Sequence, residues 1–182
     1  NGVRDVGEGP IAGVVIQLTG TDASGAVSRS ATTLADGSYR FDDLLAGTYT
    51  VTEPNQPAGT VDAVTFAGSA GGSATAVGAL PSRISGIALG AGAVSTANDF
   101  SETPAVAISG RVYFDANNDG VIDGGESGIG GQTITITGTD DRGQPVSVSV
   151  TTQPDGSYSA PSLRPGTYTV TQPTQPPNSA NG

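Results

Sequence analysis

The chain has 182 residues, with 28 Gly, 12 Pro, seven basic against seventeen acidic side chains, and a formal net charge of −10. Cys, His, Met, Trp and Lys are all absent, which excludes thiol and imidazole catalysis, zinc and haem sites, disulfides, Schiff bases and lysine-dependent phosphate loops. The acidic balance speaks against nucleic acid and anionic membranes, and no stretch reaches the roughly 18 apolar residues that span a bilayer.

Leu, Ile, Val and Phe total 37 of 182 residues, or 20%, at the edge of the disordered class for a chain of this charge. Bulk composition leaves folding open, so residue order decides it. From the start, Val14, Ile16 and Leu18 alternate with polar neighbours, as in a strand with one buried face. Asp36-Gly37 marks a turn, and Tyr49 and Val51 begin the next alternating run. Residues 67–82 (AGSAGGSATAVGALPS) are low in complexity and read as a long flexible surface loop. Ile84 to Leu89 and Ala97 to Phe100 follow as an expected closing hairpin. Then Ile108, Gly110, Val112 and Phe114 alternate again, as do residues 133–137, 146–150 and 168–171. No run has a 3.6-residue apolar period, and Val, Ile and Thr make up 48 residues, which favours strands.

The second half repeats the first. Residues 119–173 match residues 1–54, with Ile11/Ile129, Gly20/Gly138, Gly37/Gly156, Tyr39/Tyr158, Leu44/Leu163, Gly47/Gly166, Tyr49/Tyr168 and Val51/Val170 as anchors. The natural boundary near Thr103-Pro104 gives two units: residues 1–104, expected to lack their opening strand and half a loop, and residues 105–182, expected to lack their closing segment. Starting at Asn1, the chain reads as the interior of a longer protein. The junction has no Pro/Ser-rich spacer, so neighbouring repeats of one chain are expected to stack with little play. The fold class that follows is all-β: tandem antiparallel β-sandwiches.

One motif carries chemistry. Residues 115–126, DANNDGVIDGGE, match D-x-[DN]-x-[DN]-G-x₅-E at every specified position. Ca²⁺ takes six to eight oxygen ligands, mostly anionic, wrapped around it by a tight loop. Asp115, Asn117 and Asp119 would supply side-chain oxygens, Gly120 the sharp turn, and Val121 its carbonyl. Asp123 would bind directly or through water, and Glu126 would close the site bidentately. Strands rather than helices flank the loop, so calcium is expected to act as a staple and not to open a helix pair. The first copy keeps the loop's end as a partial site: Asn1, Val3, Asp5 and Glu8, with Gly2 at the turn.

Other acids rank lower. Asp22, Asp36, Asp140, Asp141 and Asp155 sit in turn sequences, where Asp is favoured for backbone reasons and a secondary calcium site is the alternative. Asp99 and Glu102, at the end of the first unit, are candidates for bridging to the next. No carboxylate pair stands out as a general acid and base.

ISGRVYFDANNDGVIDGGESGIGG, TITGTDDRG, TTQPDGSYSAPSL and GTYTVTQP resemble the B-type repeats of Sdr-family bacterial surface proteins. These are Cna-B-like, prealbumin-like β-sandwiches, and the likeness covers nearly the whole chain. It implies repeats that bind calcium, form a rigid rod and hold an adhesive domain away from the cell. It also assigns the calcium-ligand roles to Asp115, Asn117, Asp119, Val121, Asp123 and Glu126. Related Cna-B domains of pili often carry a lysine-based isopeptide staple, which a chain without Lys cannot make.

The expected function is therefore a non-catalytic, calcium-stabilised spacer in a large extracellular surface protein. Its partners are neighbouring repeats and, through other domains, host or cell-surface protein or glycan. Two alternatives stand beside it: an adhesive module using the 67–82 loop or a strand edge, and an accessory β-sandwich of a secreted enzyme.

Overall fold

Alternation of apolar and polar residues builds the ladders of this all-β structure, a computed structural model that describes residues 7–177 and 179. Strands alone make up the regular structure of the described residues, and the chain divides into two units between Thr103 and Pro104.

Unit 1 holds β1 (Val15–Asp22), β2 (Gly25–Thr32), β3 (Gly47–Glu53), β4 (Thr60–Phe66), β5 (Ser73–Ala74), β6 (Ser82–Leu89) and β7 (Asp99–Pro104). Five of these form one sheet in the order β2-β1-β3-β6-β5, while β4 pairs with β7. Along β1, Ile16 and Leu18 point inward and Val15, Gln17 and Thr19 outward. Along β3 the inward residues are Tyr49, Val51 and Glu53. Ile84 and Ile87 of β6 complete the buried core, against which Tyr39, Phe41, Leu44 and Phe100 pack. Each fully buried aliphatic side chain of this kind contributes about 1.5–3 kcal/mol.

Unit 2 holds β8 (Val106–Arg111), β9 (Thr133–Asp140), β10 (Pro145–Thr151), β11 (Ser157–Leu163) and β12 (Gly166–Thr171). One sheet runs β10-β9-β12, the other β11-β8. Ile134 and Ile136 of β9 and Ala160 and Leu163 of β11 are its buried apolar residues. The half-buried Val146, Val148 and Val150 alternate along β10 with exposed neighbours.

The repeat anchors acquire a reason at the centre of each large sheet. Gly20 faces Tyr49 across β1–β3, and Gly138 faces Tyr168 across β9–β12. A Cβ on Gly20 would fall 2.6 Å from a Tyr49 ring carbon, and one on Gly138 would fall 2.9 Å from a Tyr168 ring carbon. Each hydroxyl then donates to the carbonyl four residues earlier, Tyr49 to Leu45 at 2.6 Å and Tyr168 to Arg164 at 2.7 Å.

Three expectations need correction. Residues 84–89 and 97–100 do not close a hairpin: β6 pairs with β3 and β5, and β7 with β4. The nine-residue link between the strands carries the chain from one sheet to the other. Residues 67–82 are not a structureless loop either. They contain β5, and Ser69 and Gly78 are tied by backbone amide bonds to Thr96 and to the Asp62 carboxylate. The alternation at 108–114 continues as a strand only to Arg111; beyond it Tyr113 makes a single bridge to Gly128. The two copies also differ: residues 38–44, the counterparts of β11, are not a strand. In unit 2 that segment pairs with β8, whereas among the described residues of unit 1 no strand stands in that place.

Ile136→Ala should destabilise unit 2 by about 2–5 kcal/mol, because Ile136 is fully buried in a core of few residues. Val121→Ala, at an exposed position, should change stability by less than about 0.5 kcal/mol. Denaturant unfolding of the two variants checks this contrast.

Candidate calcium site

The loop at residues 115–126 is clamped at its base. The Tyr113–Gly128 bridge and a Phe114 amide bond to the Ser127 carbonyl (3.0 Å) bring its ends together. The Asp155-Gly156 turn closes beneath them. Its Asp155 Oδ1 accepts the Ser157 amide and hydroxyl at 3.0 and 2.6 Å, and the Gly156 carbonyl accepts the Val112 amide at 2.9 Å. Gly128 passes so near that a Cβ there would lie 1.9 Å from the Asp155 carbonyl oxygen. A position this crowded admits only glycine.

Within the loop the acidic side chains fold back onto backbone amides. Asp115 accepts from Asp119 N at 3.2 Å and Gly120 N at 2.8 Å. Asp119 accepts from Val121 N at 2.8 Å. Glu126 reaches across the loop, one oxygen accepting Ala116 N at 2.8 Å and the other Asp123 N at 3.0 Å. Asn117 Nδ2 donates to Asp119 at 2.9 Å and to Asp123 at 3.2 Å, while Asn117 Oδ1 accepts Asp119 N at 3.2 Å. Gly120 has φ +77°, the left-handed conformation expected of the turn position. Hydrogen bonds thus link Asp115, Asn117, Asp119, Asp123 and Glu126 into one exposed network.

By donor type this set fits a hard divalent cation, since four carboxylates and an amide bring oxygen ligands within twelve residues. Among the described residues no ion pair with arginine involves any of the four carboxylates. Equally, no group of three or more acidic side chains among the described residues is gathered closely enough to hold a metal. The Asn117 amide accounts for part of this, because its NH₂ group stands between Asp119 and Asp123. The loop's field reaches its neighbours: burial, then Asp115, Glu126 and Asp119, push the Tyr113 phenol above its ordinary value. In the partial site Asn1, Val3 and Asp5 lie outside the described residues, and Glu8 is exposed.

The turn acids behave as backbone residues. Asp22, Asp36 and Asp155 each accept both the amide and the hydroxyl of the serine two residues on. Those bonds hold Asp22 and Asp155 below the usual carboxylate range. Asp140 is buried, which alone would push its carboxyl up, but the Gln144 and Arg142 amides and the Arg142 guanidinium outweigh that and lower it. Asp141 takes a forked pair from Arg164 at 2.7 and 3.1 Å, and it too is lowered. Glu102 accepts hydrogen bonds from Gln56 and Thr60 within unit 1. Two further buried acids, Glu53 and Asp62, escaped the sequence reading. Glu53 had a signal, being two residues beyond Val51 on the inward face.

An open groove of about 420 Å³ runs beside Ile11, Val14, Val15, Asn55, Gln56 and Pro57, and no ionisable side chain lines it. Among the described residues no helix is long and apolar enough to cross a membrane.

The family model of the SdrD B-like domain matches residues 1–101 and again residues 106–181. Serine-aspartate repeat-containing protein D of Staphylococcus aureus is 34% identical over 175 residues, covering 93% of this chain and 12% of that protein. Serine-aspartate repeat-containing protein F of Staphylococcus epidermidis is 33% identical over 170 residues, covering 93% of this chain and 10% of that protein. No solved structure matches.

Replacing Asp115 by Asn together with Glu126 by Gln should lower the pH at which the Tyr113 phenol ionises, part of the way toward its ordinary value, because two of the charges that raise it are gone while burial remains. A tyrosinate absorbance titration of the variant against the parent measures this.

Proposed function

The chain belongs to the family of SdrD B-like domains, and from that premise we propose that it supplies two non-catalytic structural repeats to the stalk of a large extracellular surface protein. The chain spans about 12% of the D-type relative it matches, so it is one stretch within a longer assembly of domains. Its immediate partners are neighbouring repeats of the same chain. Contact with host or cell-surface protein or glycan falls to other domains.

The observation that carries the stabilising role is the loop at residues 115–126. Its base is clamped by the Tyr113–Gly128 bridge, and four carboxylates share it without an arginine partner among the described residues. Asp115, Asn117, Asp119, Asp123 and Glu126 would hold Ca²⁺ through side-chain oxygens, and Val121 through its carbonyl. Calcium bound there neutralises the carboxylates and cross-links the loop's two ends. Asn117 has the further task of turning its amide oxygen, in place of its NH₂, toward Asp119 and Asp123. Anything that binds the folded loop and not the unfolded chain stabilises the fold, by about 2.7 kcal/mol at a hundredfold excess over Kd. A repeat without lysine or cysteine has no covalent staple of those kinds, so calcium would do more of the stiffening.

Thermal melts should rise by several degrees in millimolar calcium and return on chelation. An Asp119→Ala, Glu126→Gln variant should melt at one temperature in both conditions. If it responds to calcium as fully as the parent chain does, the ion acts elsewhere and the reading fails.

A further inference from the structure

Unit 1 contains an acidic cluster that owes nothing to the calcium loop. Glu53, on β3, is 4% exposed, and Asp62, on β4, is 6% exposed. Half-buried Glu102, on β7, stands within hydrogen-bonding reach of Glu53, so two carboxyl groups from different sheets meet. Asp62 is well supplied with donors: Ser82 Oγ gives one bond at 2.7 Å and the Gly78 amide another. The Glu pair is not. Glu53 Oε2, Glu102 Oε1 and the carbonyl Oε1 of Gln56 are all buried without a hydrogen-bond partner. The donors at hand, Gln56 Nε2 and Thr60 Oγ1, both go to the other oxygen of Glu102. Among the described residues no arginine pairs with Glu53 or Glu102.

Two carboxylates side by side, each with a buried orphaned acceptor and with no arginine partner among the described residues, are short of one donor and one positive charge. A single proton supplies both. We propose that Glu53 and Glu102 hold one proton between them, as a carboxyl–carboxylate bond joining the two sheets of unit 1, and that this bond makes unit 1 a pH-responsive repeat. The proton comes from solvent on folding and returns to it on unfolding, so the balance needs no other reactant.

The electrostatics agree with the geometry. Burial first, then the charge of Glu53, pushes Glu102 up to about 8, and burial likewise raises Glu53. Asp62 adds a further negative charge to both. Asp99 of β7, also anionic, acts together with Glu53 on the Tyr39 phenol. The neighbouring charges that act on the pair itself are negative, so each favours the protonated form. The pair titrates as a unit, with its upper step belonging to both residues.

The sign follows from linkage. The folded pair keeps its proton to about pH 8, whereas the unfolded glutamates lose theirs near the ordinary 4.5. Stability from this source is complete at acid pH, declines as pH rises through that window, and is gone above it. Unit 2 provides a control within the same chain, because Gln172 occupies the position of Glu53 in the repeat.

The chain has only four glutamates, Glu8, Glu53, Glu102 and Glu126, so carboxyl-carbon NMR with isotope-labelled glutamate can follow each one in the intact chain. One carboxyl midpoint should lie near pH 8, and Glu53→Gln and Glu102→Gln should each abolish it. Four midpoints all below about pH 6 would overturn the proposal using the parent protein alone, whether or not the variants fold. In denaturation, the folding constant of unit 1 should fall by up to about tenfold per pH unit within the window, and Glu102→Gln should remove that slope. Equal slopes in the two proteins would also defeat it. A last arm uses the Asp119→Ala, Glu126→Gln background at neutral pH. If calcium there moves the Glu53 and Glu102 resonances, the pair holds a metal rather than a proton, and the proposal is wrong.

Discussion

Each unit is organised around a tyrosine lying across a glycine on the neighbouring strand. The contact works only in one register. Gly20 must face Tyr49, and Gly138 must face Tyr168, because any side chain there would meet the ring or the backbone carbonyl beside it. The hydroxyl then ties down the turn that precedes its own strand. A slip of one residue would turn every inward side chain of β3 or β12 to solvent. With the register set, Ile16, Leu18, Val51 and Ile84 meet in unit 1, and Ile136 meets the second sheet of unit 2. A chain with 20% large apolar residues folds because nearly all the buried ones are gathered on these faces.

The same plan is completed differently in the two units, and the difference lies in how negative charge is met. Turn aspartates 22, 36 and 155 spend theirs on serine donors. Asp140 and Asp141 spend theirs on Arg142 and Arg164, whose places in unit 1 are taken by Ser24 and Leu45. Unit 1 instead carries acids on its inner faces, and among the described residues no arginine pairs with Glu53 or Glu102. The loop at 115–126 stays exposed, its carboxylates occupied by backbone amides. Four environments thus act on one residue class, set by burial and by the donors nearby.

Much of this was legible beforehand. Period-two alternation located β1, β9, β10 and β12, because each has one wet face and so writes its orientation into adjacent residues. The loop was legible for a similar reason: its acidic and amide side chains are local, at fixed spacing around Gly120. The partners of β6 and β7 were not legible. Alternation tells a strand which side is buried and nothing about which strand lies beside it. The partners of Glu102 were illegible on the same ground, since its position near a boundary said nothing of Gln56 and Thr60, more than forty residues earlier.

The sequence by itself therefore determined the repeat, the strands, the turn glycines and the spacing of a calcium-type loop, all properties written within a dozen residues. Only the tertiary structure decided which strands share a sheet, where the β11 segment finds a partner, and which carboxylates are buried together. Hydrogen-bond partners and desolvation are non-local quantities. A glutamate at the end of an alternating strand is simply a polar residue until another strand brings a second one against it.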